Sequence, residues 1–194
     1  MSYDYHDAAM DDMYDCLSDE LYPARKQQAI EEFTRSRLRS YYLAHMDVLL
    51  PAGKTYKRAK VLLDGGHAEA SLVFSIAVVE LFLKECLLRP VVSGLIHSEA
   101  IANLVVDAAL TQTGYKRYEQ LLSGLFRELT RQDLAAVQRE GAQTPVLQEC
   151  SSLQKRRNLV VHRGGSIEMK EAVHAHDMAK AIFEVILLLR RVCF

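Results

Sequence analysis

The stretch that decides the fold covers residues 67–88 and reads HAEASLVFSIAVVELFLKECLL. Between Leu72 and Leu83 it is apolar on nearly every side of a helix. Such a helix is unfavourable wherever it faces water, so other helices must cover it. The stretch therefore predicts the central helix of an all-α bundle.

The rest of the chain also indicates helices, with few candidate strands. Each of the prolines lies at a plausible helix boundary, and Gly65 and Gly66 predict a tight helical hairpin. We expect a compact bundle of about five to seven helices with an N-terminal helical extension. The predicted helices cover residues 23–49, 55–63, 67–88, 98–110, 115–130, a motif helix that starts after Pro145, and 167–192 with Ser166 as its cap.

Composition and charge predict one globular domain, residues 23–194, after an acidic and flexible segment, residues 1–22. The 194 residues are 49% hydrophobic and 25% charged. Residues 1–20 hold seven acidic side chains and no Lys or Arg, which leaves 18 acids against 24 bases, a net charge of +6, for residues 21–194. This basic part of the chain is either suited to binding a polyanion or is simply a solvated surface. The acidic segment is either a free tail or folds back onto the body as a phosphate mimic.

Several classes of protein are disfavoured by what the sequence lacks. No basic-then-apolar signal segment begins the chain, and the apolar runs 72–83 and 181–189 are too short or too interrupted to span a bilayer. We therefore expect a cytoplasmic protein with no membrane partner. The cysteines and histidines show no zinc-ligand spacing, and no Walker loop or dinucleotide fingerprint is present. We expect no metal and no cofactor.

The residues that suggest chemistry are Arg157-Asn158-Leu159-Val160-Val161-His162, followed by Arg163-Gly164-Gly165. Arg157 falls inside an apolar seam where a leucine would be expected, and a cation there needs an anionic partner. The seam is formed by Val146, Cys150, Leu153 and Val160.

Helical geometry relates the three polar residues of this motif. Asn158 and His162 are four residues apart on one face, whereas Arg157 is offset from His162 by about 140° and must reach around the helix. The glycine pair predicts the helix end, so His162 lies in the last turn, where the helix dipole favours imidazolium. An arginine, an amide and an imidazole close together are suited to binding a phosphodiester substrate. The alternative is a structural ion pair and a helix-terminal histidine bonded to a carbonyl.

Three further residues are candidates for supporting roles. Glu80 is a carboxylate within the apolar helix, and a guanidinium such as that of Arg157 is its obvious partner. The other interpretation places Glu80 and Lys84 together on a solvent-exposed stripe of this helix. Arg156 and Arg163 flank the motif and are expected to support it.

The order of helical hairpin, apolar helix with Val79-Glu80-Leu81-Phe82-Leu83-Lys84, and late Arg-Asn-x3-His motif resembles the HEPN superfamily over residues 55–192. The resemblance implies a compact, often dimeric α-bundle in which an Arg-x4-6-His motif forms a metal-independent endoribonuclease site. By motif position, His162 would be a general base or acid, Arg157 would bind the scissile phosphate, and Asn158 would orient either group.

The resemblance further implies an RNA substrate and a homodimer whose two motifs form one cleft, in a toxin or antiviral-defence setting. Family members that a partner enzyme modifies often carry a tyrosine two residues after the histidine, where this chain has Gly164. Modification of a tyrosine there is excluded, and an antitoxin or other regulatory protein stays open as a partner. The alternatives are a non-catalytic binding module, scaffold or sensor, and a regulator that binds nucleic acid without cutting it.

Overall fold

The computed structural model of the protein describes residues 5–96, 98, 100–102, 104–105 and 119–193. The prediction of an all-α fold is confirmed: these residues form helices joined by turns, and their only β-pairing is an isolated bridge between Gln138 and Pro145. The α-helices are α1 (Tyr5–Ala44), α2 (Leu50–Asp64), α3 (Ala68–Leu83), α4 (Arg89–Leu95), α5 (Glu119–Thr130), α6 (Val146–Arg163) and α7 (Met169–Cys193).

Helix α3 is the centre of the bundle, as its sequence predicts. None of its residues is exposed, and α2, α6 and α7 pack against it. Phe82 of α3 stacks on Phe183 of α7 with ring centroids 5.3 Å apart. The apolar run 181–189 of α7 is likewise covered inside the chain, with only Glu184 exposed. Most of the apolar surface of this run is therefore used inside the chain.

Helix α1 differs most from the sequence-based prediction. It begins at Tyr5 and runs through Pro23, so the predicted helix start at Pro23 is wrong. An interior proline costs a helix about 3 kcal/mol. The residues around it, which read DELYPARKQQ over 19–28, are mostly strong helix formers that offset this cost. The predicted helix at 98–110 lies mostly outside the described residues, as do the first residues of the helix predicted at 115–130.

Pro90 is also inside a continuous helical segment, and the structure shows how the chain tolerates it. In an α-helix the N–H of residue 90 would bond to the carbonyl of Cys86, but proline has no N–H. Residues Lys84–Leu88 adopt a π-helix, and the Tyr42 hydroxyl donates a buried hydrogen bond of 2.6 Å to the Cys86 carbonyl. A side chain from α1 thus supplies the donor that Pro90 lacks.

We expect Tyr42→Phe to lower the free energy of unfolding by about 1 kcal/mol, because it removes the buried hydrogen bond to the Cys86 carbonyl. Urea denaturation measures the change. The control is Tyr41→Phe, since the neighbouring Tyr41 hydroxyl bonds to no residue that the structure describes. Equal stability of the two variants would show that the Tyr42 bond contributes nothing.

Candidate functional site

The motif lies on α6, which has one buried and one exposed side. Val146, Cys150 and Leu153 are buried, and Val160 packs against the same core. The helix begins directly after Pro145 and ends at Arg163, as the sequence predicts. Gly164 has a φ of 63°, and the Gly164 and Gly165 amides both donate to carbonyls in the last turn of α6. Glycine adopts such a backbone without strain.

Arg157 occupies the border between the two sides of α6. Its side chain is partly buried, and its Nε atom is buried with no hydrogen-bond partner among the described residues. Its Nη1 atom donates a hydrogen bond of 3.2 Å to Oδ1 of the exposed Asn158. The guanidinium thus extends from the seam toward the exposed side. A buried donor without an acceptor costs about 1 to 3 kcal/mol, and an anion bound here would offset part of that cost.

His162 lies one turn beyond Asn158 and is exposed. Within the described part of the chain it forms no hydrogen bond or ion pair. The structure therefore brings Arg157 and Asn158 into contact and leaves His162 exposed at the end of the same helix.

Glu80 does not pair with Arg157, so the expected ion pair is wrong. Glu80 is partly buried and accepts a hydrogen bond of 3.3 Å from Nε2 of Gln154. Lys84 pairs instead with Glu85, at 3.7 Å. Gln154 lies one turn before Arg157 on the side of α6 that meets α3, so its amide reaches Glu80. Because the Glu80 side chain is only partly buried, its carboxylate does not need a full positive charge beside it.

The two flanking arginines have different environments. Arg156 forms two hydrogen bonds to the Glu171 carboxylate of α7, at 2.7 and 2.8 Å. This pairing raises the pKa of Arg156 and lowers that of Glu171. Arg156 therefore ties α6 to α7. Arg163 is exposed and has no ion pair with a described residue, so it is accessible to an anion.

The sequence-based predictions missed a second charged cluster, at the other end of α6. Glu149 is buried and accepts a hydrogen bond of 2.9 Å from Arg139 Nε, and its carboxylate lies 3.6 Å from Nε2 of His174. Arg139 Nη2 is 3.1 Å from Nδ1 of the same histidine. The sequence did contain a signal for this cluster, because Glu149 is a carboxylate directly before Cys150 of the apolar seam. The cluster joins the start of α6 to α7.

A further histidine is buried between helices and is not part of the motif. His176 stacks on Tyr56 of α2 with ring centroids 4.3 Å apart, and its Nδ1 has no partner among the described residues. Burial lowers the pKa of His176. The neutral ring therefore packs as part of the core. No cluster of three or more His, Cys, Asp or Glu side chains suited to a metal ion occurs among the described residues.

A polar stripe continues from the motif along the exposed side of α6. Ser151, Lys155, Asn158 and His162 follow the spacing of one helix face. A cavity of about 420 Å³ lies beside Ser151 and Lys155, and it is also lined by Ala135, Pro145, Leu147, Gln148 and Ser152. Sequence reasoning did not single out Ser151 or Lys155, although their spacing from His162 was visible.

Comparison with models of protein families, with curated proteins and with solved structures gives no match to this chain. The described helices include none long and apolar enough to cross a membrane.

We expect Glu149→Ala to lower the free energy of unfolding by about 3 kcal/mol, because Arg139 then loses its carboxylate in partly buried surroundings. The control is Glu168→Ala, which removes an exposed carboxylate paired with Lys170 at 2.7 Å and should cost less than about 1 kcal/mol. Chemical denaturation of both variants measures the difference. A similar cost for the two would contradict the anchoring role of Glu149.

Proposed function

We propose that this protein is a metal-independent endoribonuclease of the HEPN type, acting as a homodimer in the cytoplasm as a toxin or antiviral-defence effector. The observation that carries the proposal is the arrangement of Arg157. Its guanidinium has an unpaired buried Nε, contacts Asn158, and lies on the helix that ends with an exposed His162. A purely structural arginine at this position would be expected to pair with a carboxylate.

The three side chains match the needs of RNA cleavage by the ribose 2′-OH. His162 as general base removes the 2′-OH proton, and the oxygen attacks phosphorus. The bond from phosphorus to the 5′-oxygen breaks, and that oxygen takes up a proton from solvent water. Arg157 stabilises the negative charge that develops on the phosphoryl oxygens, and Asn158 orients the guanidinium. The products are a 2′,3′-cyclic phosphate and a 5′-hydroxyl.

The polar stripe of α6 supports binding of an extended polyanion. Lys155 lies two turns before His162 on the same face, where it would contact a second phosphate of the same strand. The cavity beside Ser151 lengthens this surface away from the motif. Residues 21–194 also carry a net charge of +6, which attracts RNA at low salt.

Exposed apolar side chains near the motif support a dimer. Val161 is 48% exposed, and Met169 and Val173, one turn apart at the start of α7, are 40% and 41% exposed. Exposed apolar groups of this kind mark interaction surfaces when they lie close together. The same residues favour the second candidate function, a non-catalytic assembly module, and catalysis distinguishes the two.

We expect the wild-type protein to cleave labelled RNA in excess EDTA and to leave cyclic-phosphate ends. His162→Ala should lower the rate about 10²- to 10⁴-fold, because it removes the proton-transfer group. The matched control is His67→Ala, which removes an exposed histidine at the start of α3 and should retain the activity.

Two outcomes would contradict the nuclease. If the wild type and both variants are equally inactive on varied RNAs, the assembly module becomes the better interpretation. If cleavage requires a divalent ion or leaves linear phosphate ends from the start, the proposed chemistry is wrong.

We expect Val161→Asp to weaken the dimer and to lower cleavage, because a carboxylate in an apolar interface is left without a partner. The matched control is Val61→Asp, where the valine is 70% exposed and lies on α2, a helix that carries no residue of the motif. Analytical ultracentrifugation measures the dimer, and the cleavage rate is followed against protein concentration. A monomeric and fully active Val161→Asp protein would contradict the composite cleft.

A further inference from the structure

The polar stripe of α6 continues one turn beyond Ser151, to Gln148. Together with Lys155, Asn158 and His162, these two residues lie within about 80° of one another around the helix. Their side chains are two amides, a hydroxyl, an amine and an imidazole, so the stripe contains neither a carboxylate nor an apolar group. Exposed helix faces are commonly polar, but this one also borders a cavity.

The cavity lies at the start of the stripe and has a volume of about 420 Å³. Small-molecule sites in proteins begin at about 300 Å³, so the space is large enough for one nucleotide. The polar side chains of Gln148, Ser151 and Lys155 line it, together with Pro145 and Leu147. The cavity therefore combines hydrogen-bonding groups with an apolar surface against which a base or a ribose can pack.

Lys155 is the one charged side chain among the described residues that line the cavity. It is exposed and has no ion pair with a described residue. The acidic residues next to the lining residues in sequence already have partners. Glu149 is buried and bound by Arg139, and Asp133 accepts a hydrogen bond of 2.9 Å from the Ala135 amide. The cavity thus offers an unpaired positive charge, which favours an anionic ligand.

Helical rise sets the distance between the cavity and the motif. Along the axis of α6, Lys155 lies about 10 Å and Ser151 about 16 Å from His162. A stacked strand rises about 3.4 Å per nucleotide, and an extended strand rises more. A strand that follows the stripe with its scissile phosphate at Arg157 therefore reaches the cavity about three to five nucleotides away.

We propose that the cavity is a subsite that binds one nucleotide of the RNA strand, about three to five positions from the scissile bond. Lys155 binds a phosphate of the strand, and Gln148 and Ser151 form hydrogen bonds with the base or ribose inside the cavity. Tight binding then requires a minimum strand length. The choice of RNA as the strand rests on the proposed function, whereas the binding of a nucleotide in the cavity does not.

Fluorescence anisotropy tests the subsite without cleavage. Full-length His162→Ala protein is titrated into fluorescein-labelled oligouridylates of two, four, six and eight nucleotides at several salt concentrations. The affinity should rise about tenfold once the strand is long enough to occupy both the motif and the cavity, which a dinucleotide is not.

We expect Lys155→Ala, made in the His162→Ala protein, to weaken binding of the eight-nucleotide strand. The slope of log affinity against log salt concentration should fall by about 0.7, because one phosphate contact to a single strand is lost. The matched control is Lys57→Ala, which removes an exposed lysine of α2 that has no ion pair with a described residue. It should leave the slope unchanged.

Ser151→Phe, also made in the His162→Ala protein, tests the cavity itself, because the larger side chain fills it. The affinity for the eight-nucleotide strand should fall about tenfold, and the affinity for the dinucleotide should stay the same. The matched control is Ser36→Phe at an exposed position of α1, which should change neither affinity. Thermal unfolding checks that both phenylalanine variants are folded.

The outcomes separate the subsite from the proposed function. Length-dependent binding that Lys155→Ala and Ser151→Phe weaken, with a wild-type protein that never cleaves RNA, would retain the subsite and remove the nuclease. Binding that does not depend on length, or equal effects of Lys155→Ala and Lys57→Ala, would overturn the subsite even if RNA is cleaved. Uridine monophosphate that displaces the eight-nucleotide strand near the strand's own Kd would also overturn it, in favour of a site for a free mononucleotide.

Discussion

Helix α3 is apolar on almost every side, and the arrangement of the other helices follows from the need to keep it away from water. Since none of its residues is exposed, α2, α6 and α7 cover it. Its few polar groups need partners within this shell. Ser71 donates a hydrogen bond of 3.0 Å to the Ala59 carbonyl of α2, and Glu80 accepts one from Gln154 of α6. Covering α3 thus fixes the position of the helix that carries the motif.

The character of the candidate site follows from that position. A helix that covers a core has one buried side, one exposed side and a border between them. Arg157 occupies the border, so its Nε is buried while its Nη1 reaches the exposed Asn158. Arg156, one residue earlier, points toward α7 and is bound by Glu171. Neighbouring arginines of the same helix therefore differ, with one engaged in packing and the other available to an anion.

The ends of the motif helix were predictable because their signals are local. Pro145 precedes the first turn, and the backbone of Gly164 ends the last one, each by its own conformational preference. The helical hairpin at Gly65 and Gly66 was predictable for the same reason. The effect of Pro90 was not, because the hydroxyl that replaces its missing N–H comes from Tyr42, 44 residues from the carbonyl it serves.

The sequence by itself determined the all-α class, the central place of α3, and the order of Arg157, Asn158 and His162 along one helix. These features depend on periodicity and on residues close together in the chain. Only the tertiary structure decided that Glu80 bonds to Gln154 rather than to Arg157, and that Glu149 joins Arg139 and His174. Such pairings depend on which side chains the packing of distant helices brings within about 3 Å, and a hydrogen bond is too short-ranged for a sequence pattern to specify it.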